Sequence, residues 1–82
     1  MPDYKARITV TLKNGVLDPQ GKAIESALGS LGFEGVEAVR QGKTFDIALT
    51  AEDETAAKAV LSGMCETLLA NTVIEDYRVD LG

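Results

Sequence analysis

Apolar residues occupy every second position in the segment from Tyr4 to Leu12. Ala6, Ile8, Val10 and Leu12 share one side, and Lys5, Arg7, Thr9 and Thr11 share the other. A helix would scatter this pattern around its circumference, whereas a strand sorts it onto two faces. The segment therefore reads as a half-buried strand. Such a strand needs neighbouring strands for its backbone hydrogen bonds and a second layer for its apolar side. Lys13-Asn14-Gly15 ends it as a turn, because Asn and Gly tolerate positive φ.

The rest of the chain supplies those neighbours. Asp18 reads as a helix N-cap with Pro19 at the first helical position, where its missing N–H costs nothing. Ile24, Ala27, Leu28 and Leu31 follow at amphipathic helical spacing, and Gly32 is placed to end the helix in the left-handed conformation. Val36 to Gln41 reads as a short strand that Gln41-Gly42-Lys43 turns back into a longer one, Thr44 to Thr50. Thr50 is the expected cap of a second helix, with Glu52, Asp53 and Glu54 in its first turn, where negative charge meets the helix dipole favourably. Ala57, Val60, Leu61, Met64 and Leu68 form its stripe and Asn71 stops it. Val73 to Leu81 is the last strand, with Glu75 interrupting its apolar face. The order β-α-β-β-α-β predicts the ferredoxin-like α+β fold, a four-stranded antiparallel sheet with two helices on one face.

Size and composition narrow the function. The 82 residues read as one domain, 1–82, with no linker or repeat. A domain this small buries only roughly 60% of its unfolded-chain surface and leans readily on a partner. The absence of His removes the usual acid–base and metal-ligating side chain, and one Cys forms neither an internal disulfide nor a thiolate zinc site. A lone Cys suits a reducing cytoplasm. The net charge of −5, with only Arg40 and Lys43 close together among the cations, argues against nucleic acid. No apolar run is long enough for a membrane span or a signal-peptide core.

The fold hosts many functions, so the residues have to choose among them. A base-stacking RNA binder needs aromatics on the open sheet face, which here carries Arg7, Thr9, Thr11, Thr44, Asp46 and Ala48. A metal chaperone needs thiolates where this chain has Lys13-Asn14-Gly15, and a phosphatase of this fold would want an arginine near that turn. Cys65, beside Met64 in the second helix, lacks a base and reads as a packing residue. Glu52-Asp53-Glu54 reads as a solvated helix start, Asp18 as a cap and Tyr77 as a sheet-edge packing residue. The small, mostly neutral side chains of Arg7, Thr9, Thr11, Asp46 and Ala48's face suit packing against a second copy; alternatively, the face is solvated with Arg7 and Asp46 paired across it.

The run from Val10 to Ile24 resembles the first-strand and first-helix signature of the PurS family, small subunits of phosphoribosylformylglycinamidine synthase. The similarity continues through Ala27-Leu28, Leu31-Gly32-Phe33, Val39 to Lys43, Cys65-Glu66 and Leu68 to Tyr77, nearly the whole chain in order. One departure stands at Thr72, where the family usually has Pro; threonine leaves an N–H to satisfy and a looser corner. The resemblance implies a role in de novo purine synthesis, in an enzyme that converts formylglycinamide ribonucleotide to its amidine. It implies partners: a PurQ-type glutaminase that releases ammonia, a PurL-type synthetase that carries the ribonucleotide chemistry, and a second copy of this chain or a higher homo-oligomer. It implies no cofactor, metal or catalytic residue on this chain, with ATP, Mg and glutamine used by the partners.

Within that role, the candidate contact residues are Lys13, Asn14, Asp18 and Gln20 in the first turn, Arg40 and Lys43 in the hairpin, and Asn71, Glu75 and Tyr77 at the last corner. Arg40 and Lys43 are expected to meet partner carboxylates. Two other classes are consistent with the fold: a regulatory module that binds a small molecule between two copies, and a stand-alone small enzyme. The missing His and the unpaired Cys weigh against the second.

Overall fold

A computed structural model describes residues 1–82. Its elements are β1 (Asp3–Leu12), α1 (Pro19–Ser30), β2 (Gly42–Thr50), α2 (Glu54–Met64) and β3 (Glu75–Leu81). The alternating segment is the central strand of an antiparallel sheet in the order β2-β1-β3. Its register puts Ile8 between Phe45 and Val79, and Ala6 between Ile47 and Leu81. Paired residues share a face, so one side of the sheet is apolar except at one end, where Lys43 pairs with Val10 and Glu75 with Leu12. The opposite side carries Arg7 beside Asp46 and Asp80, and Thr9 beside Thr44 and Arg78.

The core lies where α2 crosses the apolar side. Ile8, Val10, Leu61 and Cys65 are its largest fully buried side chains, and Ala57 is buried with them. Leu61 and Cys65 lie one helical turn apart, so the stripe that faces the sheet runs Ala57, Leu61, Cys65. Val60 and Leu68, expected in that stripe, are exposed. The cause at Leu68 is a π-helical turn, Cys65–Leu69, closed by the Ala70 N–H donating to the Cys65 carbonyl at 3.0 Å. Its extra residue rotates the following side chains off the α-helical stripe.

The second helix also starts later than the sequence predicts. Thr50 is still in the ladder opposite Asp3, and the Ala51 N–H extends it by donating to the Pro2 carbonyl. Asp53 is the cap instead, accepting from the Ala56 N–H at 2.8 Å, so only Glu54 of the acidic triplet lies in the helix. The Pro19 start and the Gly32 stop hold. Gly32 has φ +92°, with its N–H donating to Gly29 and that of Phe33 to Leu28, a Schellman closure.

The four-stranded sheet is the main correction. Val36 to Gln41 forms no strand, and β2 begins directly at Gly42, so Gly42 is not the tip of a hairpin. The Gln41 N–H donates to the Asp18 carboxylate and not to a neighbouring strand. Nor do two helices cover the sheet. Only Gly21 of α1 is buried, and no strand packs substantially on that helix. The molecule measures 52 × 25 × 15 Å, with a radius of gyration of 16.4 Å against about 12 Å for a compact chain of this length. No helix is long and apolar enough to cross a membrane.

Two substitutions check this packing. Leu61→Ala is expected to cost about 2–5 kcal/mol in urea unfolding. Asp53→Ala is expected to cost about 1 kcal/mol, with Thr50→Ala leaving the helical signal unchanged. A larger loss of helix from Thr50→Ala than from Asp53→Ala would return the cap to Thr50.

Candidate functional site

The nine candidate contact residues come from three turns that are far apart in sequence. The register brings all three to one end of the sheet, where Thr11 pairs with Gly42 and Leu12 with Glu75. The turn after β1 is joined to the last corner by the Lys13 N–H, which donates to the Ile74 carbonyl at 2.9 Å. Lys13 Nζ lies 3.6 Å from Asp76. Val10, Leu12, Asp18, Gln20, Lys43 and Glu75 line a small cleft there.

Asp18 is the pivot of this end. Its Oδ1 accepts from the Gly21 N–H at 2.9 Å, capping α1, while its Oδ2 accepts from the Gln41 N–H at 2.7 Å. The side chain is buried, and the two N–H donors, that of Gln41 first, hold its carboxyl below the usual carboxylate range; Arg40 adds to the effect. Gly21 lets the return segment approach, since a Cβ there would collide with the Val39 carbonyl.

Arg40 has a different job from the one its charge suggests. Its Nη1 donates to the Val16 carbonyl at 2.9 Å and its Nη2 to the Lys13 and Leu12 carbonyls at 3.1 and 3.4 Å. It staples the return segment to the turn after β1, and three carbonyls occupy donors that were expected to meet partner carboxylates. Lys43 extends over the Phe45 ring, 5.7 Å from its centroid. Asn14 and Gln20 are exposed.

The last corner is closed by its own side chains. The Asn71 N–H donates to Glu75 Oε1 at 2.6 Å, the Val73 N–H to Asn71 Oδ1, and the Ile74 and Glu75 N–H groups to the Asn71 carbonyl. Glu75, which interrupts the apolar alternation, is thus a capping group, and the corner is fixed with Thr72 in place of a proline. The Tyr77 hydroxyl donates to Glu66 at 3.1 Å; burial, and then the neighbouring Glu66 carboxylate, push its pKa up.

On the open face, Arg7 Nε donates to Asp46 at 2.9 Å, and this guanidinium holds the Asp46 carboxyl below its usual range. A second pair, Arg78 with Asp80, lies beside it at 3.0 Å. Thr9, Thr11 and Ala48 fall on the same face, so the residues proposed to meet a second copy form one surface, on which Arg7 and Asp46 are already paired. Cys65 is buried, and burial raises its pKa, as suits an inert packing thiol. No group of three Cys, Asp or Glu side chains converges as metal ligands would.

Comparison with known proteins bears on this end of the molecule. Residues 5–82 match the family PurS, described as phosphoribosylformylglycinamidine (FGAM) synthase. The PurS subunit of that synthase from Synechocystis sp. is 53% identical over 74 residues, 90% of this chain and 74% of the relative. The Bacillus subtilis subunit is 45% identical, covering 95% and 92%. Among solved structures, Methanocaldococcus jannaschii PurS, one of the subunits of formylglycinamide ribonucleotide amidotransferase in the purine biosynthetic pathway, superposes with a TM-score of 0.86 at 43% identity, covering 96% of this chain and 95% of that one. A chain of Thermotoga maritima PurLQS superposes with a TM-score of 0.91 at 35% identity, over 100% of both.

Acid should release the Asp18 clamp. Folding lowers this carboxyl's pKa, so its contribution to stability is complete above the unfolded value of about 3.9 and is lost as pH falls through the lower folded value. In thermal melts from neutral pH into acid, Asp18→Asn is expected to be less stable than the parent at neutral pH, with the two curves converging below about pH 4. Parallel curves would remove Asp18 from this role.

Proposed function

The chain belongs to the PurS family of phosphoribosylformylglycinamidine synthase subunits in purine biosynthesis, and on that premise we propose that it is the synthase's non-catalytic adaptor. It joins a PurL-type synthetase to a PurQ-type glutaminase in the cytoplasm. The observation that carries this reading is the superposition, over its whole length, on a chain of the T. maritima PurLQS structure. ATP, Mg and glutamine belong to the partners' chemistry, and no step of the reaction is assigned to a residue of this chain.

Ammonia passing between two active sites is lost if it is protonated or escapes, so the chains must hold a closed path. A rigid end built from three cross-tied turns suits that task, because backbone hydrogen bonds and the Asp18 and Arg40 side chains fix its shape before any partner arrives. Lys43, Asn14 and Gln20 present the groups for partners, while Lys13, Asp18, Arg40, Asn71, Glu75 and Tyr77 shape the surface they stand on. In this proposal the working unit is a homodimer. The ferredoxin-like pattern is completed in the assembly, where Val36 to Gln41 pairs with a sheet edge; the β-branched Val36 and Val39 and the unpaired outer edges of β2 and β3 support this.

Reconstitution tests the reading. With synthetase and glutaminase chains supplied, omitting this chain is expected to abolish glutamine-dependent amidine formation and to leave turnover on added ammonium intact. Lys43→Glu combined with Gln20→Ala is expected to weaken co-elution with the partners at least tenfold without changing the circular dichroism spectrum. Glutamine-dependent turnover that does not need this chain would end the adaptor reading.

A further inference from the structure

Asn14 and Asn71 are the chain's two asparagines, and the fold treats them in opposite ways. Asn71 is fully engaged. Its side-chain oxygen accepts from the Val73 N–H, its own N–H donates to Glu75, and its carbonyl accepts from the Ile74 and Glu75 N–H groups. The β-branched Thr72 follows it. Asn14 is exposed, no group of the chain bonds its side chain, and the residue after it is an exposed glycine.

The turn around Asn14 is clamped at its ends and free in its middle. The Lys13 N–H donates to the Ile74 carbonyl at 2.9 Å. The Lys13 carbonyl accepts from the Val16 N–H at 3.1 Å and from Arg40 Nη2 at 3.1 Å. Gly15 has φ +85° and Asn14 has no positive φ, so Lys13 to Val16 form a type II turn with Asn14-Gly15 at its centre. The peptide group joining those two residues bonds to nothing else in the chain: the Asn14 carbonyl accepts no hydrogen bond and the Gly15 N–H donates none. That peptide plane turns over without breaking a bond of the fold, and glycine admits both orientations. The rotation swings the Gly15 nitrogen towards the Asn14 side chain, and open space surrounds the place where a Cβ would stand.

We propose that Asn14-Gly15 is a self-modification site at which the chain deamidates, and that the isoaspartyl product loosens the Arg40 staple. In the first step the Gly15 nitrogen gives up its proton and attacks Cγ of Asn14. The new N–Cγ bond closes a five-membered succinimide, the Cγ–Nδ2 bond breaks, and the amide nitrogen takes a proton and leaves as ammonia. In the second step one water opens the ring, its hydroxyl adding to a carbonyl carbon and its proton returning to the Gly15 nitrogen. Opening at Cγ leaves aspartate, and opening at the main-chain carbonyl leaves isoaspartate. One water is consumed, one ammonia is released, and nothing is oxidised or reduced. Either product adds one negative charge, taking the net charge from −5 to −6. Isoaspartate also inserts one carbon into the backbone between residues 14 and 15. That changes the span between the Lys13 and Val16 carbonyls, which Arg40 holds together through Nη2 and Nη1. The inference goes beyond the adaptor reading and does not rest on it.

The test uses the full chain alone, incubated at physiological temperature at neutral and mildly alkaline pH, then digested in acid and mapped by mass spectrometry. Conversion is expected within days at Asn14 and not at Asn71, faster at the higher pH, with isoaspartate the larger product. The native chain is expected to react within tenfold of the rate of the same chain unfolded in urea, because the fold does not hold the reacting peptide group. The isoaspartyl fraction, separated by its added charge, is expected to melt below the parent. Asn14→Asp, which adds the charge without the extra backbone carbon, is expected to melt with the parent, and Asn14→Gln incubated alongside is expected to keep its melting temperature. Five results would each overturn the proposal: a native chain more than tenfold slower than the unfolded one, reaction at Asn71 as fast as at Asn14, an isoaspartyl fraction that melts with the parent, an Asn14→Asp chain destabilised as much as that fraction, or an equal loss in incubated Asn14→Gln. None of them touches glutamine dependence in reconstitution.

Discussion

One buried carboxylate organises this molecule. Asp18 caps α1 through the Gly21 N–H and holds the return segment through the Gln41 N–H, so a single side chain sets where the first helix begins and where β2 begins. Arg40 completes the tie by donating to three carbonyls in and beside the turn after β1. A buried carboxylate without donors would be costly; with two N–H groups and a nearby guanidinium it becomes a rigid joint. The joint holds two unusual features of the shape in place: a first helix with no strand packed on it and a return segment that forms no fourth strand.

The regular elements were legible because their signals are local. Period two marks β1, β2 and β3, and the Asp18-Pro19 start and Gly32 stop mark α1. Even the pairing of Arg7 with Asp46 was readable as one of two alternatives for the open face. What sequence pattern did not carry was anything decided by a distant residue. Thr50 looks like a cap until Asp3 is seen to keep it in the ladder. Val36 to Gln41 reads as a short strand, but a carboxylate twenty-three positions earlier takes the Gln41 N–H. Arg40 looks like a free cation because the carbonyls that absorb it lie twenty-four to twenty-eight residues back.

The site followed the same division. The three turns could be named one by one from Gly, Asn and charge, but their convergence is a property of the sheet register. Leu12 opposite Glu75 and Thr11 opposite Gly42 bring them together. Glu75 shows how the misfit in a pattern can be informative: the charge that breaks the apolar face of β3 is the group that closes the Asn71 corner. The polar side chains of this end go into fixing its shape, with Asp18, Arg40 and Glu75 each bonded to backbone groups. Such a fixed surface suits the adaptor role proposed above.

The central claim is that the three-turn end is the docking surface, and hydrogen exchange of this chain, free and in complex with synthetase and glutaminase, tests it most directly. The account predicts new protection of backbone N–H groups in residues 13–20, 40–43 and 71–77 on assembly, with the middle of the open face unchanged around Arg7 and Asp46. Protection confined to that open face, with the three turns exchanging as in the free chain, would contradict it.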